Sequence, residues 1–277
     1  MSAPALPRRG PAMPLGWRTA RITPLGELLS PHRLTGTAVR LVIQVFLVTF
    51  LWRALYQSTT SSAGLVESQA VSYAVLAVLI SRIRSLDRSP GRDTVPQQIH
   101  YGTIVYWFLR PLPPRRYYLY RALGDQMYGF AWVVAGYVIC RLAGVLAGPA
   151  SAAAGAAALV SLLLGQSVLY YLALLTDLAC FWIIRNNSVL LILVFAQNLL
   201  SGAYAPLWYF PEWFRSMSAL LPFQATLNTP LSLYIGRIPL SELPMQLGGQ
   251  ALWVGLLAAL TRLLWTRAAV RVVSQGG

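Results

Sequence analysis

The chain has 277 residues, of which 56% are hydrophobic and 11% charged, with a mean hydropathy of +0.56. Soluble domains carry roughly 25% charged residues, so this composition excludes an ordinary water-soluble enzyme and describes a chain that crosses a membrane several times. The formal net charge is +14 and every basic residue is an arginine, so a phosphate-binding loop of the standard kind, which requires a lysine, is excluded as well.

Taken in order, residues 1–34 hold arginines and prolines but no continuous apolar core, and read as a cytoplasmic tail and interfacial segment rather than a cleaved signal. Apolar windows then predict spans near 37–56, 64–81, 126–148, 151–175, 188–205 and 246–265. The fold class is therefore all-α, with six transmembrane helices between residues 35 and 270 and a short tail at 271–277. If both termini are cytoplasmic, the arginines fall on inner segments except Arg53, Arg141, Arg215 and Arg237, as the positive-inside bias requires. The basic excess is then a topology signal and not a nucleic-acid footprint.

Two long connections stand out, at 82–121 and at 206–245. The first continues through Gly102 and an aromatic run to Leu109, Arg110, Pro111 and Leu112, and then reaches Arg115 and Arg116. Pro111, Pro113 and Pro114 fix their φ angles and stop a helix from running through. Lipid anchoring by aromatics and arginines is one reading. A stiff docking element for a cytoplasmic protein is the other, and the stiffness favours it. Past this turn, Arg121 and Asp125 stand four apart and could pair.

Within the spans, Gln44, Gln166, Gln197 and Asn198 are candidate pathway residues, weighed against simple hydrogen bonding to a neighbouring helix. Asp177 near the inner end of span four suggests an ion pair with Arg185. The small residues from Ala150 to Ala158 predict close packing of spans three and four. Cys140 and Cys180 lack metal-ligand spacing and read as packing residues.

In the second connection Pro211 and Pro222 bracket a short helix. Trp213, Phe214, Met217, Leu220 and Leu221 follow the one-sided i, i+1, i+4, i+7, i+8 pattern, with Arg215 and Ser218 opposite. It is too short to span and is expected to lie in or dip into the outer leaflet.

The order of these features resembles the type 2 ATP-binding-cassette permeases, particularly bacterial six-span subunits near the daunorubicin-type exporters. The stretches that carry the likeness are Gly64-Leu-Val-Glu67 with Tyr73; Gly102-Thr-Ile with Leu109-Arg-Pro-Leu112; and Phe181-Trp182, Leu200-Ser-Gly202, Pro206-Leu, Phe210-Pro211, Leu221-Pro-Phe223, Pro230 and Gly236. The resemblance covers residues 35 to 270. It implies a bacterial plasma-membrane exporter subunit without a catalytic residue or a metal of its own, working with a dimer of ATP-binding subunits that hold ATP and magnesium. A second permease, identical or paralogous, would complete the pathway among the membrane lipids. It also implies that residues 94–121 contact the ATPase, and that the outer helix, with Pro211, Trp213, Phe214, Met217, Leu221 and Pro222, closes an external gate. Leu247-Gly-Gly-Gln250 is similar to a cassette signature loop, but it opens an apolar segment and lacks the surrounding domain.

Two readings of other classes compete. A secondary transporter would show paired or inverted repeats and helices broken at mid-depth, and no convincing internal repeat is legible here. An intramembrane enzyme would gather His, Asp or Glu at one site, whereas the eight acidic residues are scattered.

Overall fold

The structure, a computed structural model, describes residues 14–57, 61–62, 64–83, 98, 106, 109, 111–179, 181–182 and 187–275. Helix dominates, as an apolar medium demands, because within it the backbone can satisfy its own hydrogen bonds. Two short N-terminal helices, α1 (Leu15–Ala20) and α2 (Ile22–Leu28), lead into α3 (Pro31–Tyr56). Pro31 sits in the first turn of α3, where its missing N–H carries no penalty. A two-residue antiparallel ladder, β1 (Ser61–Ser62) with β2 (Leu65–Val66), turns the chain into α4 (Glu67–Ile80).

Next come α5 (Pro114–Leu142), α6 (Ala152–Ala179) and α7 (Asn187–Leu200). The connection that follows contains α8 (Glu212–Ala219) and α9 (Asn228–Tyr234), and α10 (Leu243–Gln275) ends the chain. Among the described residues three helices are long and apolar enough to cross a membrane: α3, α6 and the segment Leu240–Arg267 that includes most of α10. Two more, α4 and the part of α7 from Leu191 to Leu200, are shorter apolar helices.

The main core lies around α4, which is buried along nearly its whole length from Ala70 to Ile80. It packs against α3, α5 and α9, while α6 packs chiefly on α9, α10 and the 3-10 turn Gln224–Thr226. Ala154, Ala157 and Ala158 are buried as the small-residue run predicts. Their helix, however, finds its principal neighbours in α9 and α10 and not in span three as expected. Gly165 explains part of this, since a Cβ there would stand 2.6 Å from the Ala225 carbonyl oxygen. The bare backbone lets the turn press directly onto α6.

Several boundaries differ from the sequence reading: α3 starts at Pro31, α5 ends at Leu142 and α10 runs on to Gln275, and two further differences shape the inner end. Helix α5 begins at Pro114, twelve residues before the predicted span, so Arg115 and Arg116 belong to its first turn and not to a loop. Its early turns are rich in Arg and Tyr, which lowers the apolar signal without lowering helix propensity much. The residues read as a tail are also partly folded: α1 lies against α5, and α2 packs on both α5 and α3.

Candidate functional site

The connection from Gly202 to Ile238 is stitched to α3, α4, α5 and α10. It starts at Gly202, whose φ of +79° suits glycine alone and whose carbonyl accepts from the Tyr73 hydroxyl of α4 at 3.1 Å. The Asn228 side-chain oxygen lies 3.2 Å from the same hydroxyl. Trp208 meets the Tyr73 ring edge-on at 5.0 Å, and the Arg237 guanidinium lies over Trp208 at 4.9 Å while reaching the Gly64 carbonyl at 3.4 Å.

A second set of bonds fastens α9. Tyr137 of α5 stands 3.0 Å from the Tyr234 hydroxyl, which donates to the Ala147 carbonyl at 2.9 Å. The Ala150 amide donates to the Tyr234 carbonyl at 2.9 Å. On the other flank Tyr56 of α3 and Tyr209 share a hydroxyl contact of 3.0 Å, and Gln69 donates to the Ile235 carbonyl at 3.1 Å. At depth, Gln250 of α10 donates to the Ser161 and Ala225 carbonyls at 3.2 and 2.8 Å. This end of the molecule is therefore closed by a tightly bonded cap.

Within the cap, α8 is turned differently from its expected orientation. Phe214 is 8% exposed and Ser218 fully buried, while Trp213 is 68% exposed and Met217 and Leu220 also face outward. Phe214 stacks on Phe210 at 4.6 Å and packs with Leu200, Leu207 and Leu221. Phe214 and Leu221 pack inward as the apolar pattern expects, whereas Met217 and Ser218 have exchanged faces; an apolar side chain facing lipid carries no penalty, so periodicity alone does not fix the inner face. Pro211 caps the helix start and Pro222 is buried just beyond its end.

At the opposite end, Leu112, Tyr117, Tyr118, Leu174, Leu178, Phe181, Leu264 and Trp265 form a second cluster. The proline-locked turn thereby feeds directly into the base of α5, α6 and α10. Leu109 and Pro111 are exposed there, as are Arg115 and Arg116. Gly102 and Arg110 lie outside the described residues. The Tyr118 hydroxyl donates to Asp177 at 2.7 Å. Arg185, the expected partner of Asp177, also lies outside the described residues. The ion pairs seen among the described residues are Arg33–Glu27 at 3.3 Å and Arg53–Glu67 at 3.8 Å, and Arg121–Asp125 is not one of them.

The candidate pathway residues separate into two places. Gln166 is buried in α6 with neither side-chain amide atom hydrogen-bonded, and Gln197 is buried in α7; Leu169, Ala173 and Val194 join these helices. Asn198, half-buried, accepts the Ala203 amide through its carbonyl at 3.0 Å. Gln44 instead lines an open groove of about 500 Å³ along α3, with His32, Arg40 and Ile43. Tyr137, Tyr234 and Gln250 were missed from sequence, since nothing local distinguishes a bonded buried tyrosine from a packed one.

A helical body with several apolar spans, capped by bonded short helices at one end, defines a multi-pass membrane protein. Residues 42–276 match the family described as ABC-2 family transporter protein, and the chain belongs to that family. It is a permease component of an ABC transporter, in a family that generally works with an ATP-binding subunit. No curated protein and no solved structure matches the chain.

Proposed function

We propose that the chain is the transmembrane permease subunit of an ATP-driven exporter in the bacterial plasma membrane, of the daunorubicin-type branch. In this reading α3, α4, α5, α6, α7 and α10 are the six spans of a permease domain at 35–270, and residues 1–34 and 271–277 are cytoplasmic. A second permease completes the pathway, and a separate dimer of ATP-binding subunits binds ATP and magnesium and hydrolyses the nucleotide.

One observation carries the proposal. Along α5, Tyr117 in the inner cluster and Tyr137 in the cap are twenty residues apart, which is about 30 Å of helix. A bilayer core has that thickness. The two elaborated ends therefore lie one membrane apart on a single rigid helix. The segment entering at Leu109–Pro113 would receive the ATPase stroke, with Gly102, Arg110 and Leu112 among its contacts, and the cap at 206–245 would open in response. Gln166, Gln197 and Asn198 would face the substrate between them, with Gln44 nearer the second permease. Polar side chains in an otherwise apolar pathway suit an amphiphile.

The test is the double variant Arg110→Glu, Leu112→Asp in the complex with its ATP-binding subunit. Loss of ATPase-coupled transport in a folded permease is expected, since removing an interface anchor costs ~2 kcal/mol or more. Normal co-purification and normal transport rate with both changes would remove the coupling role.

A further inference from the structure

Beneath the cap the protein buries a group of uncharged polar side chains that it does not itself satisfy. Gln250 of α10 is their meeting point. Its amide nitrogen donates to the Ser161 carbonyl of α6 and to the Ala225 carbonyl of the 3-10 turn Gln224–Thr226. Its amide oxygen has no partner, and neither have the Ser161 hydroxyl and the Gln224 side-chain oxygen. Four residues further along α6, the bare backbone of Gly165 lies against Ala225 and Thr226. Gln166 follows it, with both amide atoms unpaired. Ser161, Gln166 and Gln250 are at most 2% exposed.

Gln197 of α7 adds a further buried amide. It and Gln166 each stand one turn nearer the cap than Val194 and Leu169, the residues through which α7 and α6 pack. Polar groups within spans ordinarily bond a neighbouring helix, and leaving one buried without a partner lowers stability. Several left so around one junction are not explained by packing alone. Nor does the junction carry charge: among the described residues every buried polar side chain is Ser, Thr, Asn or Gln. An ionic group brought here would lie unpaired in an apolar medium, at far greater cost than a hydroxyl. Amide and hydroxyl side chains both donate and accept, and so match a group that does the same.

We propose that this junction binds the uncharged, hydroxyl-bearing head of an amphiphile, with Gln166 and Gln250 as its principal partners and Ser161 and Gln224 beside them. The site thereby selects the substrate class of the pathway proposed above, and it rests on that reading. Because Gln250 also holds the Ala225 carbonyl, a head group bound there competes with the bond that fastens the cap to α10.

The test uses the full-length chain in phosphatidylcholine nanodiscs, photolabelled by a decyl glucoside that carries a diazirine in its tail. Decyl glucoside, decyl phosphate and decyltrimethylammonium compete for the label, so that only the head differs. Saturable labelling of α6 and α10 is expected, displaced roughly tenfold more readily by the glucoside than by either charged head. Gln166→Leu and Ser161→Ala remove only unpaired atoms, so each should keep or raise the melting temperature while weakening the labelling roughly fivefold. Ser167→Ala, whose hydroxyl bonds the Leu163 carbonyl of its own helix, should leave the labelling unchanged. Equal displacement by the three heads, preference for a charged head, or full labelling of a folded Gln166→Leu protein would each overturn the proposal. Saturable, glucoside-selective labelling that ATP leaves unaltered in the complex with the ATP-binding subunit would count against the exporter reading and leave this site standing.

Discussion

Tyr73 on α4 and Gly202 after α7 are joined by a hydroxyl-to-carbonyl hydrogen bond of 3.1 Å, buried on both sides. Helix α4 lies at the centre of the core, so this bond ties the cap to the least exposed helix of the bundle. Tyr73→Phe deletes the donor but keeps the ring against Trp208. It should lower stability by about 1–2 kcal/mol, because a buried carbonyl then loses its partner. Thermal unfolding of the purified protein checks this, with the exposed Tyr204→Phe as a near-neutral comparison.

The orientation of α8 gives a second prediction. Phe214→Ala opens a cavity beside Phe210 and Leu200 and should destabilise the cap by about 3 kcal/mol. Met217→Ala, on the outward face, should lie within about 0.5 kcal/mol of the parent. Ser218→Phe should be worse than Arg215→Phe, since Ser218 is fully buried. Melting temperatures of the four variants rank the faces directly, and equal effects at Phe214 and Met217 would reverse the orientation.

Much of this was readable beforehand, and the exceptions are instructive. Long apolar windows gave α3, α6 and α10 because hydropathy over a full span needs no partner to be interpreted. Pro114 marked the start of α5 chemically, yet the Arg- and Tyr-rich turns after it hid the helix from an apolar window. The packing of α1 on α5 depended on Gly16, Ala20 and Gly124, small residues whose meaning appears only when two distant segments meet. For α8, periodicity found the helix, but in a membrane protein it cannot tell a lipid-facing stripe from a packed one. The bonds from Tyr73, Tyr234 and Gln250 join residues far apart in sequence, so no local pattern announces them.

At the inner end, Tyr118 and Asp177 link α5 to α6 at 2.7 Å. Hydrogen bonds to charged groups contribute about 1.5–3 kcal/mol. Tyr118→Phe and Asp177→Asn should each destabilise, and the double variant should fall short of their sum by about 1 kcal/mol because the two share one interaction. Denaturation midpoints of the four proteins close the cycle. Strict additivity would mean the pair is not coupled.

If the inner turn carries the proposed coupling, site-specific photo-crosslinking in the assembled complex will find the ATP-binding subunit against it. A photoreactive residue would replace Leu109 or Leu112 near the inner turn, or Met217 in the cap, in the permease bound to its ATP-binding subunit. Adducts to the ATP-binding subunit are expected from Leu109 or Leu112 and none from Met217. Adducts from Met217 with none from Leu109 or Leu112 would contradict that coupling.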